Sequence, residues 1–181
     1  MLKESELIEE CIRQKRKAQY TLYERYASTM LAVCMRYSRN REEAEDLMQE
    51  GFLKVFDKIA TFRGQGSLEG WIRRIMTNNA LNHLKSRKIL FSEEDPQRMS
   101  EHLPDEPVSD GNEELYSPEA MMKAVQKLPD GYRIVFNLYV FEGFSHREIA
   151  ESLSISENTS KSQLSRARKY LRNLLANKIK D

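Results

Sequence analysis

Histidine and cysteine are scarce in this sequence, at three and two of 181 residues. Cys11 and Cys34 stand far apart, with no CxxC pair and no histidine beside them. Neither a zinc site nor a disulfide framework can be assembled from them, and reduced, buried thiols are the expectation. His83, His102 and His146 fall in no HExxH or Glu-x-x-His spacing, which excludes the common metalloprotease and di-iron arrangements. There is no GxxxxGK[ST] loop and no GxSxG elbow. The expectation is therefore no catalytic residue, no metal, no cofactor and no small-molecule substrate. An apolar run of the ~18 residues that suggest a membrane span is also missing. The acidic opening "MLKESELIEE" has no signal-peptide pattern, so the expected location is cytoplasmic.

Net charge is low too, at +1, but it is unevenly spread. Residues 1–90 hold 17 basic and 12 acidic side chains, residues 91–118 hold 1 and 9, and residues 119–181 hold 11 and 7. Two basic blocks flank an acidic connector, a pattern that points to a polyanionic partner. The connector contains Pro96, Pro104, Pro107 and Pro118 and few large apolar residues. It has too little apolar surface to offset the entropy of ordering, so a flexible linker is expected. Two domains remain, 1–90 and 119–181.

Both read as helical. Ala44, Leu47, Met48, Gly51, Phe52, Val55, Phe56 and Ile59 recur at steps of three and four, as one helix face does. Leu22, Tyr23, Tyr26, Met30, Val33, Cys34 and Tyr37 form a second such face, and Leu68, Ile72, Ile75, Met76, Ala80 and Leu84 a third. Gly64 and Gly66 in "TFRGQGS" mark a loop before that third helix. Beyond the linker, Ser117, Ser145 and Ser156 are candidate N-caps, and Pro129 breaks the chain ahead of a helix through Ile134, Val135 and Leu138. No alternating strand pattern competes. The fold class is all-α, with two small helical domains.

In "HREIAESLSISENTSKSQLSRARKYLR" a short helix, a turn at Ser154-Ile155-Ser156 and a second helix match a helix-turn-helix. The second helix of that motif enters the major groove with its N-terminal residues toward base edges. Asn158, Thr159, Lys161, Ser162 and Ser165 then fall on or beside its outward face, with Leu164, Ala167, Leu171 and Leu174 inward. Arg166, Arg168, Lys169 and Arg172 suit phosphate oxygens. An ordinary amphipathic helix with a solvated charged face fits the same residues.

The stretch from Leu128 to Arg172 resembles the −35-reading domain of bacterial extracytoplasmic-function (ECF) sigma factors, of the sigma-70 family of RNA polymerase initiation factors. "EEAEDLMQEGFLKVF" followed by "FRGQGSLEGWIRRIMTNNALNHLKSRK" is similar to their −10-reading, polymerase-binding domain. The resemblance spans nearly the whole chain, in family order. It implies a sigma-2-like bundle and a sigma-4-like helix-turn-helix domain. The implied function is to direct core RNA polymerase to specific promoters and support initiation.

The resemblance also implies roles for residues. Asp46, Gln49, Glu50 and Leu53 point away from the apolar face of their helix, and the family docks such a group on the β′ clamp of polymerase. A solvated acidic face is the plainer reading. Arg63, Gln65 and Ser67 lie in a loop similar to one that captures a flipped base of the −10 element, though a simple interhelical turn would look alike. Arg73, Arg74, Thr77, Asn78, Asn82, Lys85, Arg87 and Lys88 follow off the apolar stripe and suit a single strand, with Trp71 read as core. Asn158, Thr159, Lys161, Ser162, Ser165, Arg166 and Lys169 would meet the −35 duplex. Implied partners are core RNA polymerase (β′ clamp and β flap), promoter DNA and an anti-sigma factor, often membrane-embedded.

Departures from the family pattern occur on the last helix. Asn158 and Ser160 stand where a small residue and Val are common, and Gln163 where a basic residue is. Serine at the inward-leaning position 160 is expected to weaken packing, and Gln163 to remove a phosphate contact. The paired aromatics that melt DNA in housekeeping sigma factors are replaced by polar residues, which implies stringent promoter dependence. A helix-turn-helix regulator acting without polymerase, or a pure adaptor, are the rival readings. The first requires a receiver or ligand pocket upstream, where only helical patterns occur.

The acidic connector generates a first prediction. Neutralising Glu93, Glu94, Asp95, Asp105 and Glu106 is expected to weaken assembly with core polymerase or alter early transcription. Unchanged affinity and initiation would contradict a role for the linker charge.

Overall fold

The computed structural model describes residues 3–86 and 118–176. The expected linker as far as Ser117, with Arg87 and Lys88, lies outside the described residues, while its last residue, Pro118, begins a helix. Among the described residues there are eight α-helices, one 3₁₀ turn and no strand, as the periodicity predicts. The chain divides into two compact units, 1–83 and 84–181.

The first unit opens with α1 (Glu4–Ile12) and α2 (Arg16–Tyr37), turned at Gln14, whose φ is 55°. Periodicity misses α1, because it buries only Leu7 and Cys11. Tyr26 of α2 donates to Glu4 Oε2 at 3.2 Å and ties the two together. Ala18, Leu22, Tyr26, Met30, Val33, Cys34 and Tyr37 form the inward stripe of α2. Burial pushes the Cys34 thiol up to about 12, against the opposing pull of Arg36, and raises that of Cys11 as well. Neither is a thiolate at neutral pH.

Asn40 caps α3 (Arg41–Lys58) by accepting from the Glu43 amide at 2.8 Å. The 3₁₀ turn Ile59–Thr61 and a loop lead into α4 (Leu68–Ser86). Leu68, Ile72, Met76, Ala80, Leu81 and Leu84 of α4 are buried. Each of the leucine, isoleucine and methionine side chains among them contributes about 1.5–3 kcal/mol by leaving water. At Gly51, α3 lies directly against the Met76 side chain of α4. A Cβ there would overlap the thioether of Met76, itself fully buried. Three residues on from Met76, the buried Asn79 donates to the Leu47 carbonyl of α3 at 3.0 Å and accepts from Lys54 Nζ.

The second unit contains α5 (Pro118–Gln126), α6 (Asp130–Val140), α7 (His146–Leu153) and α8 (Glu157–Ala176). Tyr132 to Leu138 of α6 are all buried, including Arg133, which is only 2% exposed. Its guanidinium donates to Asp130 Oδ1 at 2.6 Å and to the Gln126 carbonyl at 3.3 Å, so it satisfies the end of α5 from inside α6. Leu164, Ala167, Leu171 and Leu175 of α8 turn inward. The expected Leu174 is only half-buried, because the stripe advances by four residues rather than three at its last step.

Gly51→Val is expected to destabilise the first unit by roughly 1–3 kcal/mol, since overpacking outweighs the better helix propensity of valine. The single tryptophan, Trp71, lies in this unit and reports its urea unfolding by fluorescence. An unchanged or higher midpoint would show that Met76 simply moves aside.

Candidate nucleic-acid and protein interfaces

Three exposed faces come from the residues singled out in the sequence. The first is the outer side of α3. Asp46, Gln49, Glu50 and Leu53, at spacings i, i+3, i+4 and i+7, form one exposed row. Leu53 is 69% exposed, the most exposed large hydrophobic side chain among the described residues. An apolar side chain in one row with two carboxylates is suited to a partner with an apolar pocket and basic groups to one side of it.

The second face joins the loop after α3 to the outer side of α4. Gly64 and Gly66 have φ of 69° and 90°, and no atom lies near where a Cβ would sit. Backbone can therefore approach a ligand closely here. Arg63, Gln65 and Ser67 are exposed, but Ser67 Oγ already accepts from the Gly70 amide at 3.0 Å as the cap of α4. Phe62 packs on Trp71, ring centroids 5.6 Å apart, and anchors the base of the loop. Trp71, read as core from the sequence, is half-buried and packs on Phe62.

On α4 itself, Arg74, Asn78, Asn82 and Lys85 form a continuous exposed strip. Arg73 is half-buried and held by Glu69 at 3.1 Å. Thr77 departs from expectation. It is fully buried, and its hydroxyl has no hydrogen-bond partner in the structure. Buried positions cover more than half the circumference of α4, so a residue outside the apolar stripe can still face inward.

The third face is the start of α8. The helix-turn-helix is built by its caps. Ser145 and Glu148 exchange backbone-to-side-chain bonds at 3.2 and 2.8 Å and start α7. Ser154, at φ 57° and ψ 44°, ends it in the left-handed region. Ser156 Oγ then accepts from the Thr159 amide at 2.9 Å and starts α8. Asn158, Lys161, Ser162, Ser165 and Lys169 are exposed, while Thr159 and Arg166 are half-buried. At 3.6 residues per turn these seven positions lie within about 160° of the helix. Ser162 Oγ spends its proton on the Thr159 carbonyl at 3.0 Å, and Thr159 Oγ1 pairs with Ser156 Oγ at 2.8 Å. Asn158 and Lys161 are exposed with their donors outward.

Two departures on α8 find physical accounts. Gln163 is buried beside Gly131, so this position faces the core and offers nothing to a phosphate. Ser160 is fully buried, with its Oγ 2.9 Å from Nδ1 of His146. Polarity at this inward position is therefore paired rather than a packing defect. The sequence reading also missed Asn79, because its partner Leu47 lies 32 residues away.

No helix among the described residues is long and apolar enough to cross a membrane. Residues 22–89 match Sigma-70 region 2, and residues 119–171 match Sigma-70 region 4. The ECF RNA polymerase sigma factor SigW of Bacillus subtilis is 30% identical over 158 residues, 83% of this chain and 84% of that protein. The ECF RNA polymerase sigma-E factor of Haemophilus influenzae is 28% identical over 182 residues, 95% of each chain. Among solved structures, the sigma factor RpoE of Bartonella quintana, in complex with the anti-sigma factor NepR, aligns with a TM-score of 0.53. It is 22% identical, over 87% of this chain and 96% of that one, a likeness of fold.

Proposed function

Because the chain belongs to the ECF sigma factors of the sigma-70 family, a transcription initiation factor and not an enzyme, we propose that its three exposed faces divide the work of promoter recognition. As a sigma factor it directs RNA polymerase to promoters. The outer row of α3, Asp46, Gln49, Glu50 and Leu53, docks on the β′ clamp. The observation that carries this assignment is the exposure of Leu53 at the end of a row that holds two carboxylates, which has no use within the chain's own core.

The loop at Arg63, Gln65 and Ser67 receives a base extruded from the −10 element. Its paired positive-φ glycines support the reading, because a base edge can reach the backbone without meeting a Cβ. Arg74, Asn78, Asn82 and Lys85 follow the adjoining single strand, with cations on phosphates and amides on base edges. Arg73 contributes once Glu69 releases it. In the second unit, Asn158, Thr159, Lys161, Ser162 and Ser165 face the −35 base edges, while Arg166 and Lys169 hold phosphates. The second unit also meets the β flap.

Cytoplasmic residence follows from work on polymerase and DNA. An anti-sigma factor, held at a membrane, would silence the chain by covering these same faces. The Bartonella quintana sigma factor of similar fold was solved in complex with the anti-sigma factor NepR, which supports an anti-sigma partner.

Reversing Asp46 and Glu50 to Lys together is expected to weaken binding to core polymerase at least about tenfold, roughly 1.4 kcal/mol. Circular dichroism of the variant should be unchanged, because both side chains are exposed. Arg74→Ala with Lys85→Ala should instead leave core binding intact and reduce promoter-dependent transcription. Native core affinity in the double reversal, measured by fluorescence anisotropy, would remove the α3 assignment.

A further inference from the structure

His146 reaches all three helices of the helix-turn-helix region. It is the first residue of α7, just after the Ser145 cap. Its ring stacks on Tyr139 of α6, with centroids 4.7 Å apart and planes inclined by 26°. Its Nδ1 lies 2.9 Å from Ser160 Oγ of α8. Tyr139 in turn lies under the Arg168 guanidinium, whose carbon is 5.8 Å from the ring centroid. The stacked pair therefore touches α8 at Ser160 and again at Arg168. Those residues are eight apart, about 12 Å along the helix axis. Two separated contacts define the direction of a helix, where one would leave it free to swing.

Ser160 stands between Thr159 and Lys161, both on the outward face. Any rotation of α8 about its axis moves these neighbours with it. An aliphatic side chain at 160 would hold the helix through packing, which is non-directional. A hydrogen bond to an imidazole has a narrow range of distance and angle. Base readout has the same narrow tolerance, because it too depends on hydrogen bonds to base edges.

We infer that the His146–Ser160 hydrogen bond, seated on Tyr139, positions the recognition helix and thereby sets which −35 bases this chain prefers. His146 and Ser160 are positioning residues and touch no base. The inference rests on the reading of α8 as the −35 reader.

The test uses the full chain assembled with core polymerase, transcribing a template pool randomised across the −35 region. Base preference at each position is read from transcript counts. His146→Phe with Ser160→Val keeps a ring on Tyr139, fills the inward site and leaves no buried polar atom of this pair unpaired, so the fold should persist. This variant is expected to assemble with polymerase normally and to lower the ratio of best to second-best base about fivefold or more at positions read by the first turns of α8. Asn158→Ala serves as the control. An unchanged preference in the double variant, with an altered one in Asn158→Ala, overturns the inference and leaves the −35 reading standing. Unchanged preference in both removes the −35 reading and the inference with it. Should the double variant fail to fold, ¹⁵N resonances of the His146 ring in the native chain and in Ser160→Ala decide the matter. A shifted Nδ1 signal supports the bond, and an identical one overturns it.

Discussion

The first unit depends on a close approach between two helices. Where α3 and α4 meet, residue 51 can carry no side chain unless the Met76 thioether shifts. The buried amide of Asn79 spans the same contact, bonded to the Leu47 carbonyl and to Lys54. A buried polar group must find its partners or cost free energy, so this bond fixes the rotation of α4 against α3 more narrowly than apolar packing would. Both outward faces follow from that lock. With the inward sides committed, Asp46, Gln49, Glu50 and Leu53 are left on one helix and Arg74, Asn78 and Asn82 on the other. A face suited to a basic protein and a face suited to a nucleic-acid strand are thereby mounted on one body.

The second unit uses capping chemistry for the same purpose. Its turn has three residues, Ser154 to Ser156, and each end has a stated cause. Ser154 adopts the left-handed conformation that stops α7, and Ser156 satisfies the first free amides of α8. Arg133 performs the corresponding task inside the core, closing the end of α5 from α6. The N-terminal turn of α8 carries several short polar residues, which suits the proposed seating of that helix in a groove. Ser162 donates to the Thr159 carbonyl and Thr159 Oγ1 pairs with Ser156 Oγ, while Asn158 and Lys161 stand exposed beside them.

Much of this was legible in the sequence because it is periodic or local. The stripes of α2, α3 and α4 repeat at three and four residues, and the caps at Ser145 and Ser156 act within three residues of themselves. What escaped was non-local. Ser160 looks like a flaw until His146, 14 residues earlier, is seen to accept or donate to it. Thr77 looks exposed because it is polar, but burial on α4 is decided by the neighbours packed around it. The helix α1 was missed because two buried residues are too few to make a pattern.

The central claim is that this chain tells polymerase where to start. The most direct measurement is transcription by core RNA polymerase, with and without the protein, on fragmented DNA of its own genome, with every transcript start mapped. Discrete new starts sharing two motifs at a fixed spacing are the predicted result, one for each unit. No new starts, with folded protein and active core enzyme, would contradict the account.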